Sequence, residues 1–378
     1  MKGPIGSGIQ YVINCAGQKV PVSDSGFTSR CAIGNTDDYL KSFGKHASAR
    51  MVELGEPAFI TVVVPSCASE EDDLRQTLVS LCSQKYPVAA EILVFVNEPE
   101  KAPERVRRMN DHTESLVRSV QSAGLKGGEN TQLRLVRQTV PGGSTGVYQA
   151  VTASSIARVR THCDRLMAGA ERQQKIQCIE KYLRQCLLLL WDDDIQTKDT
   201  SAIAGAYEAA VNGDAVILGR LRISRVDTAA AYAGALHDLM QLFLEFKYDL
   251  GLNFLSPRGM LLAGILREGG VRVGEPFADQ LYFASAARGK KQHLLDAETA
   301  IGESDSPGNG NFLKKLRLYL EGGENDALEI FQNVLNRYRE DRPAGRYCEA
   351  DIQRILLDLR TRDFDRIGRT AAELLAKA

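Results

Sequence analysis

Three carboxylates stand in a row at Asp192-Asp193-Asp194, directly after the apolar run Leu187-Leu188-Leu189-Leu190-Trp191. Adjacent acids repel one another, so a fold keeps them together where a counter-charge is supplied or where water screens them. Mg²⁺ or Mn²⁺ is the natural counter-charge, because either prefers carboxylate oxygen and is commonly held by one or two carboxylates plus substrate phosphates. The other reading is an acidic, solvated turn that caps the helix beginning near Thr200. The run before the acids fits a strand buried on both faces, as in a mostly parallel sheet. Ligands of open α/β sheets sit beyond the carboxyl ends of such strands.

Other residue types with chemical potential lie elsewhere in the chain. Pro141-Gly142-Gly143-Ser144-Thr145-Gly146 could present backbone amides, Gly143 and Ser144 foremost, to a phosphate at a helix amino terminus, or form a plain turn. It lacks the lysine of a P-loop and does not match G-x-G-x-x-G. Arg220 and Arg222 could line an anionic site or stand in solvent, and Trp191 could flank a sugar or fill the core. The eight cysteines (Cys15, Cys31, Cys67, Cys82, Cys163, Cys178, Cys186 and Cys348) show no C-x-x-C pair and no metal-finger spacing. They read as reduced, mostly buried thiols of a cytoplasmic protein without zinc.

The elements that must position these groups follow from periodicity. β-branched and apolar runs predict strands over residues 59–65, 91–96, 133–138, 187–191 and 215–218. Helical spacing predicts helices near 72–83, 103–123, 147–156, 200–212 and 226–249, and a charge-rich helical tail over 311–378. Alternation of strand and helix is the signature of an α/β fold with a parallel sheet flanked by helices. The expected organisation is an arm or small cap over 1–57, a catalytic domain over 58–302 and a helical carboxyl-terminal region over 311–378. A formal net charge of −1 argues against a nucleic-acid partner. Residues 1–10 hold no apolar h-region, and no run is long enough for a membrane span.

In order and spacing the sequence resembles family 2 glycosyltransferases of the Rossmann-like GT-A fold, over about residues 58–300. The resemblance is carried by Ile60-Thr61-Val62-Val63-Val64-Pro65 with an acidic loop after it, by the strand over 91–96, by the acids at 192–194, and by Gly269-Gly270, Asp279 and Arg288-Gly289-Lys290. It implies that Pro65, Ser66, Cys67 and Glu70 hold the nucleotide, and that Asn97 stands where the family places a base-reading aspartate. An asparagine still hydrogen-bonds a pyrimidine edge. By the same register Asp192 and Asp193 face the nucleotide sugar, Asp194 ligates Mn²⁺ or Mg²⁺, and Asp279 is the general base, although Ala278-Asp279 replaces the family's usual Glu-Asp. His293 lies where some GT-A enzymes place a further metal ligand; read alone, it is a surface or satisfied histidine.

What the resemblance implies is a metal-dependent, inverting transfer from a nucleotide-diphosphate sugar, UDP-sugar ahead of GDP-sugar, to a carbohydrate or other hydroxyl acceptor. The helical tail would then complete the acceptor site, cover the sheet or join two copies. A nucleotidyltransferase on a similar sheet is the nearest alternative, but it calls for a basic, glycine-rich loop after the first strand, and residues 66–71 have neither feature. A non-catalytic protein that binds nucleotide sugars or a partner is the more distant one.

Overall fold

The computed structural model describes residues 11–13, 19–21, 36–41, 44, 47, 51, 56–123, 130–225, 255–268, 282–283, 286–287, 290–301, 336, 348–361, 366, 369–370 and 373–374. A short antiparallel pair, β1 (Tyr11–Ile13) and β2 (Lys19–Pro21), comes first. The main sheet has seven strands: β3 (Ile60–Ser66), β4 (Ala90–Val96), β5 (Thr131–Arg137), β6 (Leu187–Leu190), β7 (Val216–Arg225), β8 (Leu255–Leu261) and β9 (Gln292–Ile301). Their spatial order is β5-β4-β3-β6-β8-β7-β9. Only β8 runs against its neighbours, so the sheet is mostly parallel, as the alternating pattern predicts.

The strands form where β-branched and apolar residues are densest. Ile60, Val62, Val63 and Val64 of β3 and the whole of β4 are buried, because helices cover both faces. The helices are α1 (Glu71–Cys82), α2 (Glu104–Ser122), α3 (Gly143–Leu166), α4 (Arg172–Leu183), α5 (Ala202–Gly213), α6 (Leu262–Arg267) and α7 (Glu349–Thr361). In α1, Leu74, Thr77, Leu78 and Leu81 make the buried face, while Glu71, Asp72 and Asp73 occupy the first turn, where the helix dipole favours acids. Helix α3 is buried over most of its length because small residues (Gly146, Ala150, Ala153, Ser154, Ser155) let it lie close to the sheet.

One core joins the parts that the sequence separates. Tyr39 and Met51, from the segment read as an arm, and Ile352, Ile355, Leu356 and Leu374, from the tail, are buried in the same apolar cluster as the sheet. Two strands of the main sheet escape the sequence pattern. Strand β8 contains Pro257 and Gly259, both poor strand formers in isolation, and the register of β7 on β8 shifts between Leu218 and Gly219, beside Pro257. Strand β9 pairs with β7 over ten residues, so β7 runs on past residue 218, where its apolar run stops. The expected helix at 226–249 lies outside the described residues, as do Gly269-Gly270, Asp279 and most of 302–347.

Candidate active site

The chain moves outward from β3 to β4 to β5, then returns to lay β6 on the other side of β3. That reversal is a topological switch point, the place where open α/β sheets form a ligand crevice beyond the carboxyl ends of their strands, here β3 and β6. The two ends are in register, with Val63 level with Leu190, and Trp191 N–H donates to Val63 O at 2.8 Å. Past it the backbone turns sharply: Ile195 N–H reaches Asp192 O at 3.3 Å, and Trp191 Nε1–H donates to Ile195 O at 2.8 Å. Trp191 is fully buried, so the indole is the core clamp of this turn, and the three acids are displayed on it.

Asp192 and Asp193 meet different neighbours. The Asp193 carboxylate accepts from Ser69 Oγ, which is itself 2.6 Å from Ser66 Oγ. The Asp193 carbonyl accepts from Thr77 Oγ1 at 3.0 Å, and Ser80 Oγ both accepts from Thr197 N–H and donates to Thr197 O, each at 3.0 Å. These bonds staple the β3 loop and α1 to the acid turn. On the far side, Asp192 N–H donates to Ser256 Oγ at 2.6 Å, and the buried Arg258 guanidinium lies 3.8 Å from the Asp192 carboxylate. Burial pushes the Asp193 carboxyl up to about 6, Asp192 adding to the shift and the Ser69 bond opposing it. Asp194 is raised well above the usual carboxylate range by burial, then by the charges of Asp193 and Asp192.

Two mutually repelling, half-buried carboxylates are a donor set that fits a hard divalent cation. Among the described residues no group of three or more His, Cys, Asp or Glu side chains converges as a metal site. Asp194 and the second oxygen of Asp193 would therefore share the ion with phosphate oxygens and water, the usual Mg²⁺ pattern.

The other expected site residues divide by place. Pro65, Ser66, Cys67 and Glu70 run from the end of β3 to the start of α1, beside the acids. Glu70 holds the amino-cap position of α1 without capping it through its side chain. Cys67 is exposed, and its thiol is raised by partial desolvation and by Asp193 and Glu98. Asn97 follows β4, its N–H bonded to Ser66 O at 2.9 Å, so it adjoins the same loop. Gly143 and Ser144 open α3 after the bend at Gly142 and Gly143, whose φ values of +88° and +59° favour glycine. Gly146 is required for another reason: a Cβ there would stand 1.7 Å from Pro141 O.

His293 is not brought to this crevice. It pairs with Ile217 of β7, which is level with Gly259 of β8 and Leu189 of β6. Gln196, two residues past the acids, bridges antiparallel to Glu298 of β9, the strand of His293, so the acids lie toward its carboxyl end and His293 stands about 16 Å back along it, too far to share an ion with Asp194. It rests instead against α5, where a Cβ on Gly205 would lie 3.7 Å from its ring, and burial and then Lys291 lower its pKa. Arg220 forms a bidentate pair with Asp296 on the exposed β7–β9 surface. Asp279 lies outside the described residues.

Ser69, Ser256 and Arg258 are the members of the site that sequence reasoning missed. The serines carry no signal in the sequence. Arg258 carries none either, because Ser256-Pro257-Arg258-Gly259 does not read as a strand whose arginine would need a buried counter-charge.

No protein-family model matches the sequence, and neither does any curated protein. Similar solved structures include S. aureus TarS 1-349, 13% identical, covering 83% of this chain and 90% of that one with a TM-score of 0.38. TarS 1-349 in complex with UDP-GlcNAc covers the same shares at 13% identity and a TM-score of 0.37. The mannosyltransferase PcManGT from Pyrobaculum calidifontis, in complex with GDP-Man and Mn²⁺, is 14% identical, covering 92% of this chain and 86% of that one with a TM-score of 0.35.

Proposed function

We propose that this protein is a metal-dependent glycosyltransferase that moves a sugar from a nucleotide-diphosphate sugar to an acceptor hydroxyl, inverting the anomeric carbon. The observation that carries the reading is the clasp at the switch point. The β3 loop, through Ser69, holds the acid turn of β6 so that Asp193 and Asp194 stand at the mouth of the crevice. Such a crevice accommodates a diphosphate: Asp194 and Asp193 hold Mn²⁺ or Mg²⁺, while Pro65, Ser66, Cys67, Glu70 and Asn97 flank the nucleoside. The amino terminus of α3, at Gly143 and Ser144, favours the remaining negative charge. Asp192, held by Arg258 and Ser256, faces the donor sugar in this reading.

The bound cation supplies stabilisation for the charge that develops on the leaving diphosphate. Asp279 takes the proton of the acceptor hydroxyl as that oxygen attacks the face opposite the leaving group. The loop after β3 has neither the glycines nor the basic residues a nucleotidyltransferase would place there, which favours glycosyl transfer. Residues 58–302 form the catalytic part in this reading, 1–57 an arm or small cap and 311–378 a helical region. The six described cysteines are free thiols, which suits a cytoplasmic enzyme. Among the described residues no helix is long and apolar enough to cross a membrane.

Calorimetric titration with nucleoside diphosphates and nucleotide sugars, with and without Mn²⁺, tests the reading. Metal-dependent binding that Asp194→Ala abolishes is expected, and Asp279→Asn should keep donor binding while losing turnover. Folded protein that binds no nucleotide in the presence of metal would sink it.

A further inference from the structure

Helix α3 ends far from the crevice in a pair of thiols that the proposed transfer does not use. Cys163, near the carboxyl end of α3, meets Cys178 of α4 where the two helices pack, and Cys178 Sγ–H donates to Cys163 Sγ at 3.2 Å. We propose that this pair is a redox modification site: a disulfide oxidant closes the two thiols into an intramolecular disulfide that staples α3 to α4, and a reductant reopens it.

The geometry is already close to that of the bond. A disulfide is about 2.05 Å long, so the two sulfurs must approach by only about 1.2 Å, which small rotations of the two side chains supply. The helices are held in register beside the pair. His162 Nε2 lies 2.9 Å from Tyr182 Oη, one turn past Cys178, and Tyr182 stacks on Phe59 at the foot of β3.

Unequal exposure sets the order of events. Cys163 is fully buried, whereas Cys178 is half-buried and open to a reagent. Burial, and then Cys178, push the Cys163 thiol above its ordinary value. Cys178 therefore meets the oxidant first. As a thiolate it attacks one sulfur of an external disulfide such as oxidised glutathione, and the departing glutathione takes up the Cys178 proton. Cys163 then attacks Cys178 Sγ in the mixed disulfide. The electron pair of that bond leaves with the second glutathione, which takes up the Cys163 proton. Two protein thiols are oxidised and one glutathione disulfide is reduced to two thiols.

The site is remote from the acids. Gly143 opens α3 at the crevice, and Cys163 lies about twenty residues on, about 30 Å at the rise of an α-helix. The link should therefore change stability and leave nucleotide binding alone, so it is independent of the transferase reading. Where the thiol pool is reducing, such a bond is transient and registers an oxidising change. The buried Cys186, close enough to add to the shift of Cys163, is the competing partner.

Peptide mapping tests it. Full-length protein is incubated with oxidised glutathione, alkylated and digested with trypsin without reduction. Cleavage after Arg160, Arg165, Lys175 and Lys181 puts Cys163 on peptide 161–165 and Cys178 on 176–181, with Cys186 on a third. The first two peptides are expected joined by a disulfide, with a rise in melting temperature of roughly 4 °C that dithiothreitol reverses. Cys163→Ser, lacking the resolving thiol, should keep glutathione on Cys178, and Cys178→Ser should lose both the link and the rise. Wild type that retains glutathione on Cys178, joins Cys163 to Cys186, or yields both peptides alkylated overturns the assignment. Should Cys163→Ser fail to fold, wild type and Cys178→Ser, altered at the half-buried position, decide it.

Discussion

Asp193 and Asp194 carry an electrostatic cost that a cation would relieve, and the metal-free protein should show it. The Asp193 carboxyl titrates near 6 in the fold, above its ordinary 3.8, because burial and Asp192 disfavour its charge. A raised folded-state value means that the associated stability is fully present below the ordinary value and is lost as pH climbs through about 6. Asp193→Asn removes this dependence while keeping an oxygen for Ser69. In chelator, the stability of Asp193→Asn relative to wild type should therefore rise between about pH 4 and pH 7, by about 1–3 kcal/mol after allowing for partial exposure. Urea melts across that range measure it, and a difference that stays flat with pH would refute the assignment. The acids themselves were legible in the sequence, since three carboxylates after an apolar run are conspicuous. Ser69 was not, because one hydroxyl in a polar loop resembles any other until its partner 124 residues away is known.

At the scale of elements, the sheet is fastened at its amino end by buried charge rather than by apolar packing alone. Glu91 of β4 and Arg158 of α3 are 1% and 2% exposed, with Arg158 Nη1 2.7 Å from Glu91 Oε1. Thr61 Oγ1 of β3 donates to the same oxygen at 2.9 Å, and Arg134 of β5 stands 3.3 Å from the other. Four elements thus meet at one carboxylate, and α3 is held in the place from which its amino terminus serves the crevice. Glu91→Ala leaves Arg158 buried without its counter-charge and should cost about 3–5 kcal/mol in urea denaturation. The paired change Glu91→Met with Arg158→Leu should recover most of that loss, because a buried ion pair contributes little over well-packed apolar groups. If the double variant is as unstable as Glu91→Ala, the ion pair is not the cause. Strands β3 to β6 were readable because their apolar runs need no context. Strand β8 was not, because Pro257, Arg258 and Gly259 become strand only between β6 and β7. Strand β9 has the alternation, with Leu295 and Ala297 buried and Leu294 and Asp296 exposed, but His293, Asp296 and Glu298 dilute it.

For the molecule as a whole, the pairing of the strands decides which residues can act together. Position along the chain after the last core helix made His293 a plausible partner for Asp194, yet sequence order does not give distance in a sheet. The segment past the acids pairs with β9 at Glu298, and His293 stands five residues back along that strand, while Ser69, 124 residues from Asp193, touches it. Metal-dependent nucleotide binding should therefore be insensitive to His293→Ala, within about twofold, and should collapse in Asp194→Ala. Both can be read from the rise in melting temperature on adding Mn²⁺ and nucleotide, since saturation at a hundred times the dissociation constant stabilises a binding protein by about 2.7 kcal/mol. His293→Ala leaves space against Gly205, so its own melting temperature should fall with or without ligand, while the ligand-induced rise stays as large as in wild type. A ligand-induced rise lost in His293→Ala and kept in Asp194→Ala would move the metal to the β7–β9 side of the sheet and refute the crevice at the switch point.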